Sequence, residues 1–388
     1  MRVVGLFAGI GGVESGLARA GHRAVALAEC WRPAAAVLAT HFAETPLFDD
    51  VRTVERLPAH DLITAGFPCQ DLSQAGRTLG LDGAKSGLVG HVFRLMDRAA
   101  PAHVLLENVS FMLRLDGGSA MARLAEAFED RGYRWAYRTV DTLAFLPQRR
   151  QRVFVLASRV LDPAEVLFAD AVEPVATETR LDGQAHGFYW TEGVRGLGWG
   201  PDCVPTLKNG STVGIPSPPA ILRPNGAIVT PDIRDAERLQ GFAADWTAPA
   251  EAIGLARLRW SLVGNAVSVP VAAWIGERLA APGTYDASRD RDLAAAARWP
   301  AAARFDGRRR FAVAISTHPR HEARPPLDAF LEHPGKPLSE RATRGFLGRL
   351  GRTSLRLPAG FVERVEAHLT TVEGLPRAPR RRPAVAAE

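Results

Sequence analysis

Four segments of this sequence carry side chains that chemistry could use. In Gly66-Phe67-Pro68-Cys69-Gln70 a cysteine follows the apolar run Asp61–Ala65. The carboxyl end of a parallel strand is where open α/β sheets place their ligands. Pro68 stiffens the approach, and backbone amides at a loop or helix start can stabilise a thiolate. Burial as an inert thiol is the competing reading, and the polar, glycine-containing stretch from Gln70 to Gly90 weakens it. Leu105-Leu106-Glu107-Asn108-Val109 ends a second apolar run in a carboxylate. Burying that group ionised and unpaired would be costly, so it must meet solvent, a partner or a substrate. In Gln148-Arg149-Arg150-Gln151-Arg152 the alternation puts Arg150 and Arg152 on one strand face, where they could answer the carboxylate. A solvated edge strand would give the same pattern. Finally, Phe7-Ala8-Gly9-Ile10-Gly11-Gly12 lies between a strand and a helix, where glycines let the backbone turn tightly and approach a ligand. Glu29, at the next strand end, stands where such folds hold ribose hydroxyls. Asp50 could accept a hydrogen bond from an adenine amino group. Nucleoside binding and a purely structural turn both remain open on these residues.

The elements that must position these groups follow from periodicity. Val3–Phe7, Ala24–Ala28, Asp61–Ala65 and Val104–Glu107 are expected as strands. Val13–Ala20, Pro33–Phe42, His91–Ala100 and Ala120–Arg131 are expected as helices. Strand-helix alternation predicts an α/β fold with a doubly wound, mostly parallel sheet. Tyr133–Val140 and Arg152–Ala157 suggest an antiparallel addition at the sheet edge. Residues 180–231 are rich in Gly, Pro and Trp and predict a loop-dominated second domain. Helical pattern returns at Asp232–Gln240 and Val267–Leu279. The expected division is residues 1–157 catalytic and cofactor-binding, 158–256 recognition, 257–283 returning to the first domain, and 284–388 a basic C-terminal extension.

Composition sets the outer limits. The chain has 388 residues, 46% apolar and 23% charged, enough for a substantial core. Its start shows no basic region or long apolar segment, so neither a signal peptide nor a membrane span is expected. Cys30, Cys69 and Cys203 lack CxxC spacing, so no metal site or disulfide framework is expected, and a reducing cytosol fits best. The net charge of +6 is a C-terminal property: residues 285–388 hold 20 Arg and Lys against 12 Asp and Glu. A solvated tail and an auxiliary contact to phosphates both fit that excess, and Phe346, Leu347 and Leu350 add an apolar helical spacing that could pack.

In order and spacing, the segments FAGIGG, GFPCQ, LLENV, QRRQRVF, ERLQGF and GNAV resemble the motif series of the prokaryotic DNA (cytosine-5)-methyltransferases, from Val3 to about Leu279. The resemblance implies a Rossmann-like, S-adenosylmethionine-dependent methyltransferase with a small loop-rich recognition domain. It implies Cys69 as the nucleophile on C6 of a flipped-out cytosine, Glu107 on N3 and the exocyclic amine, Arg152 on O2 and Arg150 in support. S-adenosyl-L-methionine is the implied cofactor and S-adenosyl-L-homocysteine its product. Phe7, Gly9, Ile10, Gly11 and Gly12 would surround the methionine portion and Glu29 the ribose. Cys30, Asp50 and Val51 would lie toward adenine, with Leu88, Asn265 and Val267 completing the pocket. Pro68, Gln70, Ser73 and Asn108 would approach the DNA, and Lys208 and Asn209 are candidates for base recognition. The partner is double-stranded DNA, with a cognate restriction endonuclease sharing the site without direct binding; a monomer in a prokaryotic cytoplasm is expected. Two departures stand out: Val89-Gly90 is not the aromatic pair the family often shows, and residues 285–388 match nothing in it.

Other classes explain less. A dinucleotide oxidoreductase could own the glycine turn and Glu29, but not PCQ with ENV, and FAGIGG lacks GxGxxG spacing. A tRNA cytosine-5 methyltransferase shares the chemistry, yet PCQ favours DNA. A non-catalytic relative has no chemical need for Cys69, Glu107, Arg150 and Arg152 together.

Overall fold

Arg2–Leu6 (β1) has an almost unbroken apolar run because both its faces are covered, as parallel strands between helices require. The structure, a computed structural model, describes residues 1–67, 87–208, 218–254, 256–294 and 298–373. After β1 come Gly12–Arg19 (α1), Arg23–Ala28 (β2), Arg32–His41 (α2), Leu47–Phe48 (β3), Leu62–Gly66 (β4) and His103–Val109 (β5). These five strands lie in the order β5-β4-β1-β2-β3 and pair in parallel. Successive residues serve opposite cores. Val4, Ile63 and Val104 join Phe93, Met121 and Phe128 on one face, while Val3, Leu62 and Leu105 join Leu17, Trp274 and Ile275 on the other. The helix Val269–Ala280 returns to lie on α1, closely enough that a methyl group on Gly16 would fall 2.4 Å from the Val269 carbonyl oxygen.

The antiparallel strands Arg134–Asp141 (β6) and Gln151–Ser158 (β8) follow as expected, with Gln148–Arg149 (β7) just before β8. They are not the sheet edge. After the short strands His186–Phe188 (β9), Gly200–Pro201 (β10), Val204–Pro205 (β11), Ala220–Leu222 (β12) and Ile228–Thr230 (β13), the chain returns as Asp290–Asp292 (β14), Ala302–Phe305 (β15) and Arg310–Val313 (β16). β15 pairs with β6, and the ten-stranded order is β14-β16-β15-β6-β8-β5-β4-β1-β2-β3. The reading of residues 284–388 as an appendage is thereby corrected. The backbone groups of β6 needed a partner, and these short strands, too weakly periodic to be noticed alone, supply it.

The same segment also builds the second sheet, ordered β10-β9-β12-β13 and finished by Lys336–Pro337 (β17). Strands of two or three residues cannot hold a sheet unaided. The helices Glu340–Leu350 and Phe361–Glu373 cover it, burying Phe346, Leu350, Phe361 and Val365 against Phe188, Leu222 and Ile228. Phe188 meets the rings of both Phe346 and Phe361 at 5.2 Å. Of the basic clusters, Arg310 is bound to Glu129 at 2.7 Å and Arg309 lies 3.5 Å from Asp292, while Arg380, Arg381 and Arg382 fall outside the described residues. No helix among the described residues is long and apolar enough to cross a membrane.

Candidate active site

At the carboxyl ends of β1, β2, β4 and β5 a cavity of about 500 Å³ opens, within the size range of small-molecule sites. Its first wall is the turn after β1. Phe7, Gly9 and Gly11 all have positive φ (54°, 57° and 80°), which folds the backbone back before α1. Gly12 is required by proximity: a methyl group there would lie 2.5 Å from the Val267 carbonyl oxygen. Phe7, Gly9, Ile10, Gly12, Glu29, Cys30, Leu88, Asn265 and Val267 all line this cavity.

Glu29 is aimed by the backbone around it. Its Oε2 accepts from the Gly9 amide at 2.8 Å and its Oε1 from the Trp31 amide at 2.7 Å, which leaves lone pairs of both oxygens for a diol. Burial pushes its carboxyl upward and the amides of Trp31 and Gly9 draw it back. Three expected residues are placed elsewhere. Gly11 packs under the Phe42 ring, Val51 is buried in the core, and Asp50 is turned to the Arg52 guanidinium at 2.6 Å, which holds its carboxyl low. None of the three lines the cavity. Trp31, absent from the sequence reading, does line it. It occupies the N-cap of α2 without a side-chain capping bond, where Ser, Thr, Asp or Asn would be ordinary. That mismatch was the available signal.

The opposite wall carries the charged pair. Glu107, near the end of β5, meets Arg152 Nε at 3.1 Å across adjacent strands, and both side chains are largely buried. Burial raises the Glu107 carboxyl, with Arg152 and then Arg150 pulling it back. Arg150 lies in the break between β7 and β8 and lines the cavity together with Arg152. Its guanidinium, 1% exposed with the residue, donates to the carbonyls of Leu207 (3.0 Å), Gly264 (3.2 Å) and Ala266 (2.7 Å). Arg150 therefore ties three chain segments together beside the cavity. Burial pushes it well below its ordinary value, Arg152 acts in the same direction, and Glu107 opposes both. Gln148, given no role by the sequence, makes a similar clasp to the Leu239 carbonyl and the Leu207 amide.

Asn108 also lines the cavity, but its amide donates to the Phe67 carbonyl at 2.8 Å. Phe67 is the last described residue before the cysteine segment, so Asn108 anchors the stem of that segment. Cys69, Pro68, Gln70 and Ser73 lie outside the described residues, as does Asn209. Lys208 is paired with Glu192 at 2.5 Å and sits 3.6 Å over the Tyr189 ring.

Comparison with known proteins follows the same lines. The family model of C-5 cytosine-specific DNA methylases matches residues 1–179. The chain is 46% identical over 385 residues to the Type II methyltransferase M2.BsuMI of Bacillus subtilis (strain 168), covering 94% of this chain and 97% of that protein. Such coverage has to include most of residues 284–388. Type II methyltransferase M.NgoBI of Neisseria gonorrhoeae is 32% identical over 158 residues, 40% of this chain and 50% of its own length. The solved structure of the Entamoeba histolytica methyltransferase EhMeth superposes with a TM-score of 0.51 at 15% identity, over 72% of this chain and 97% of that one, a likeness of fold.

Proposed function

The chain belongs to the C-5 cytosine-specific DNA methylase family, and from that premise we propose that it methylates carbon 5 of a flipped-out cytosine in double-stranded DNA, within a specific short sequence, using S-adenosylmethionine and a transient bond from Cys69 to C6. The observation that carries the reading is that one cavity joins the Gly9–Glu29 cradle to the Glu107–Arg152 pair. A nucleoside cofactor fits the first: the glycine turn admits its backbone-hugging portion, Glu29 offers acceptors for a ribose diol, and Trp31 offers an apolar face for a purine. Bound there, the cofactor supplies an electrophilic methyl group on sulfur.

The protein's own part concerns the base. C5 of cytosine is too weakly nucleophilic to take a methyl group directly, whereas a thiolate added to C6 makes it enamine-like. Cys69 forms the C6–S bond, Glu107 hydrogen-bonds N3 and the exocyclic amine and favours protonation of N3, and Arg152 holds O2. Raising of the Glu107 carboxyl by burial suits a group that shares a proton with N3. Loss of the C5 proton and β-elimination then break the C6–S bond and free Cys69. A stacked duplex denies access to C6, so the base must leave the stack. Base recognition falls to the small sheet and its loops, and a modification role beside a cognate endonuclease, with the protein acting as a monomer in a prokaryotic cytoplasm, completes the reading. Bisulfite sequencing of DNA from cells expressing the chain tests it: protected cytosines should recur in one short sequence. Unprotected DNA in the presence of soluble protein would overturn it.

A further inference from the structure

One buried acid in the cavity has no part in the chemistry above. Glu14, in the first turn of α1, is 4% exposed and lines the cavity wall. Its Oε1 accepts from Thr64 Oγ1 at 2.9 Å, while Oε2 has no partner among the described residues. β1 is shaped to receive it. Gly5 stands opposite Thr64 in the parallel pairing of β1 with β4, and a methyl group on Gly5 would lie 2.3 Å from Glu14 Oε1. Glycine weakens the interior of a strand and often marks a close approach, and here the space it leaves is filled by a carboxyl group. Among the described residues the elements around Glu14 bring it no charge: β1 gives Gly5, with Leu27 of β2 beside it, β4 gives Thr64, and the helix Val269–Ala280 meets α1 at Gly16 through backbone and Ala272. Among the described residues the cavity's other titratable groups are Glu29, Cys30, Glu107, Arg150 and Arg152, and none of them contributes to the shift of Glu14. Burial dominates and pushes its carboxyl up to about 7, with its own backbone bond and Thr64 opposing.

A buried carboxyl with a free oxygen either stays protonated or meets a cation. S-adenosylmethionine carries a net positive charge through its sulfonium, and S-adenosylhomocysteine, a thioether, carries none. We propose that Glu14 is the counter-charge for the sulfonium: it is protonated in the free protein, releases that proton to solvent when S-adenosylmethionine binds, and recovers one when the thioether product replaces it. This rests on the cofactor reading above. It gives the protein a means of preferring substrate over product that contacts to adenosine and methionine, shared by both, cannot provide. The preference should grow as pH rises toward and past 7, because below that point the cation must displace a proton to gain the charge.

Calorimetry on the full chain at pH 6.5, in phosphate and in imidazole buffers of different ionisation enthalpy, counts the protons exchanged on binding. We expect roughly half a proton released per S-adenosylmethionine, the same for sinefungin, which bears an ammonium in place of the sulfonium, and none for S-adenosylhomocysteine. Between pH 5.5 and 7.5 the preference for S-adenosylmethionine over S-adenosylhomocysteine should rise by about tenfold, one pKa unit of coupling. Glu14→Gln, whose amide oxygen can still accept from Thr64, should abolish both effects. Equal proton exchange with all three ligands, or release that survives in Glu14→Gln, would overturn the proposal while leaving the cofactor reading intact. If the variant does not fold, the contrast between ligands in the unaltered protein decides alone. Failure of both adenosyl ligands to bind would overturn the cofactor reading and this proposal with it.

Discussion

At the scale of single residues, the site divides into groups that touch reactants and groups that hold other groups still. On the proposed mechanism Cys69 belongs to the first kind. A Cys69→Ser protein should lose methyl transfer entirely, since a hydroxyl is no comparable nucleophile at neutral pH. A duplex carrying 5-fluorocytosine, whose fluorine blocks release, should form a denaturation-resistant adduct only when Cys69 is present; an adduct with the serine variant would place the nucleophile elsewhere. Glu14 makes a separate prediction about stability. Its carboxyl is raised from the ordinary value to about 7 by burial, so its contribution is fully present below about pH 4.5 and is lost as pH rises through 7. The free Glu14→Gln protein should therefore lose less stability than the unaltered protein across that interval, by an amount on the order of 3 kcal/mol. Urea denaturation at pH 5 and pH 8 measures it, and parallel pH dependences would mean that Glu14 is ionised in the folded state.

Elements explain why Arg150 and Arg152, two residues apart, do different work. β8 begins at Gln151, so Arg152 is placed by the strand and faces Glu107 across the ladder, whereas Arg150 lies outside it and reaches the Leu207, Gly264 and Ala266 carbonyls. Lysine at 150 would keep the charge but could not span three carbonyls with a planar fork. Arg150→Lys should cost about 2 to 4 kcal/mol of stability and lower activity through misplacement of the β7–β8 junction. Thermal denaturation separates this from a role in chemistry alone, which would leave the melting temperature unmoved. Gly12 and Gly16 show the same dependence on a distant element, since both are small because the segment from Val267 to Ala273 lies against them.

For the whole molecule, the C-terminal segment from residue 284 is the decisive part. It supplies β14, β15 and β16 to the main sheet and β17 and two helices to the small one. Burial of Phe346, Leu350, Phe361 and Val365 contributes on the order of 10 kcal/mol before chain entropy, comparable with the whole stability of a domain. Truncation at Gly283 should thus give insoluble or unfolded protein, and a soluble truncated protein that still methylates DNA would refute this. The sequence alone determined the family, the parallel strand-helix series and many of the residues that line the cavity, because motifs such as FAGIGG and LLENV are contiguous and β1 to β5 have strong periodicity. Only the tertiary structure decided the rest. Arg150's carbonyl partners, Asp50's turn to Arg52, the cavity face of Trp31 and the buried cleft of Glu14 are each set by which segments meet in space. β15 and β17 are strands chiefly because β6 and β13 needed neighbours, and no local pattern in four or two residues can announce a partner more than a hundred positions away.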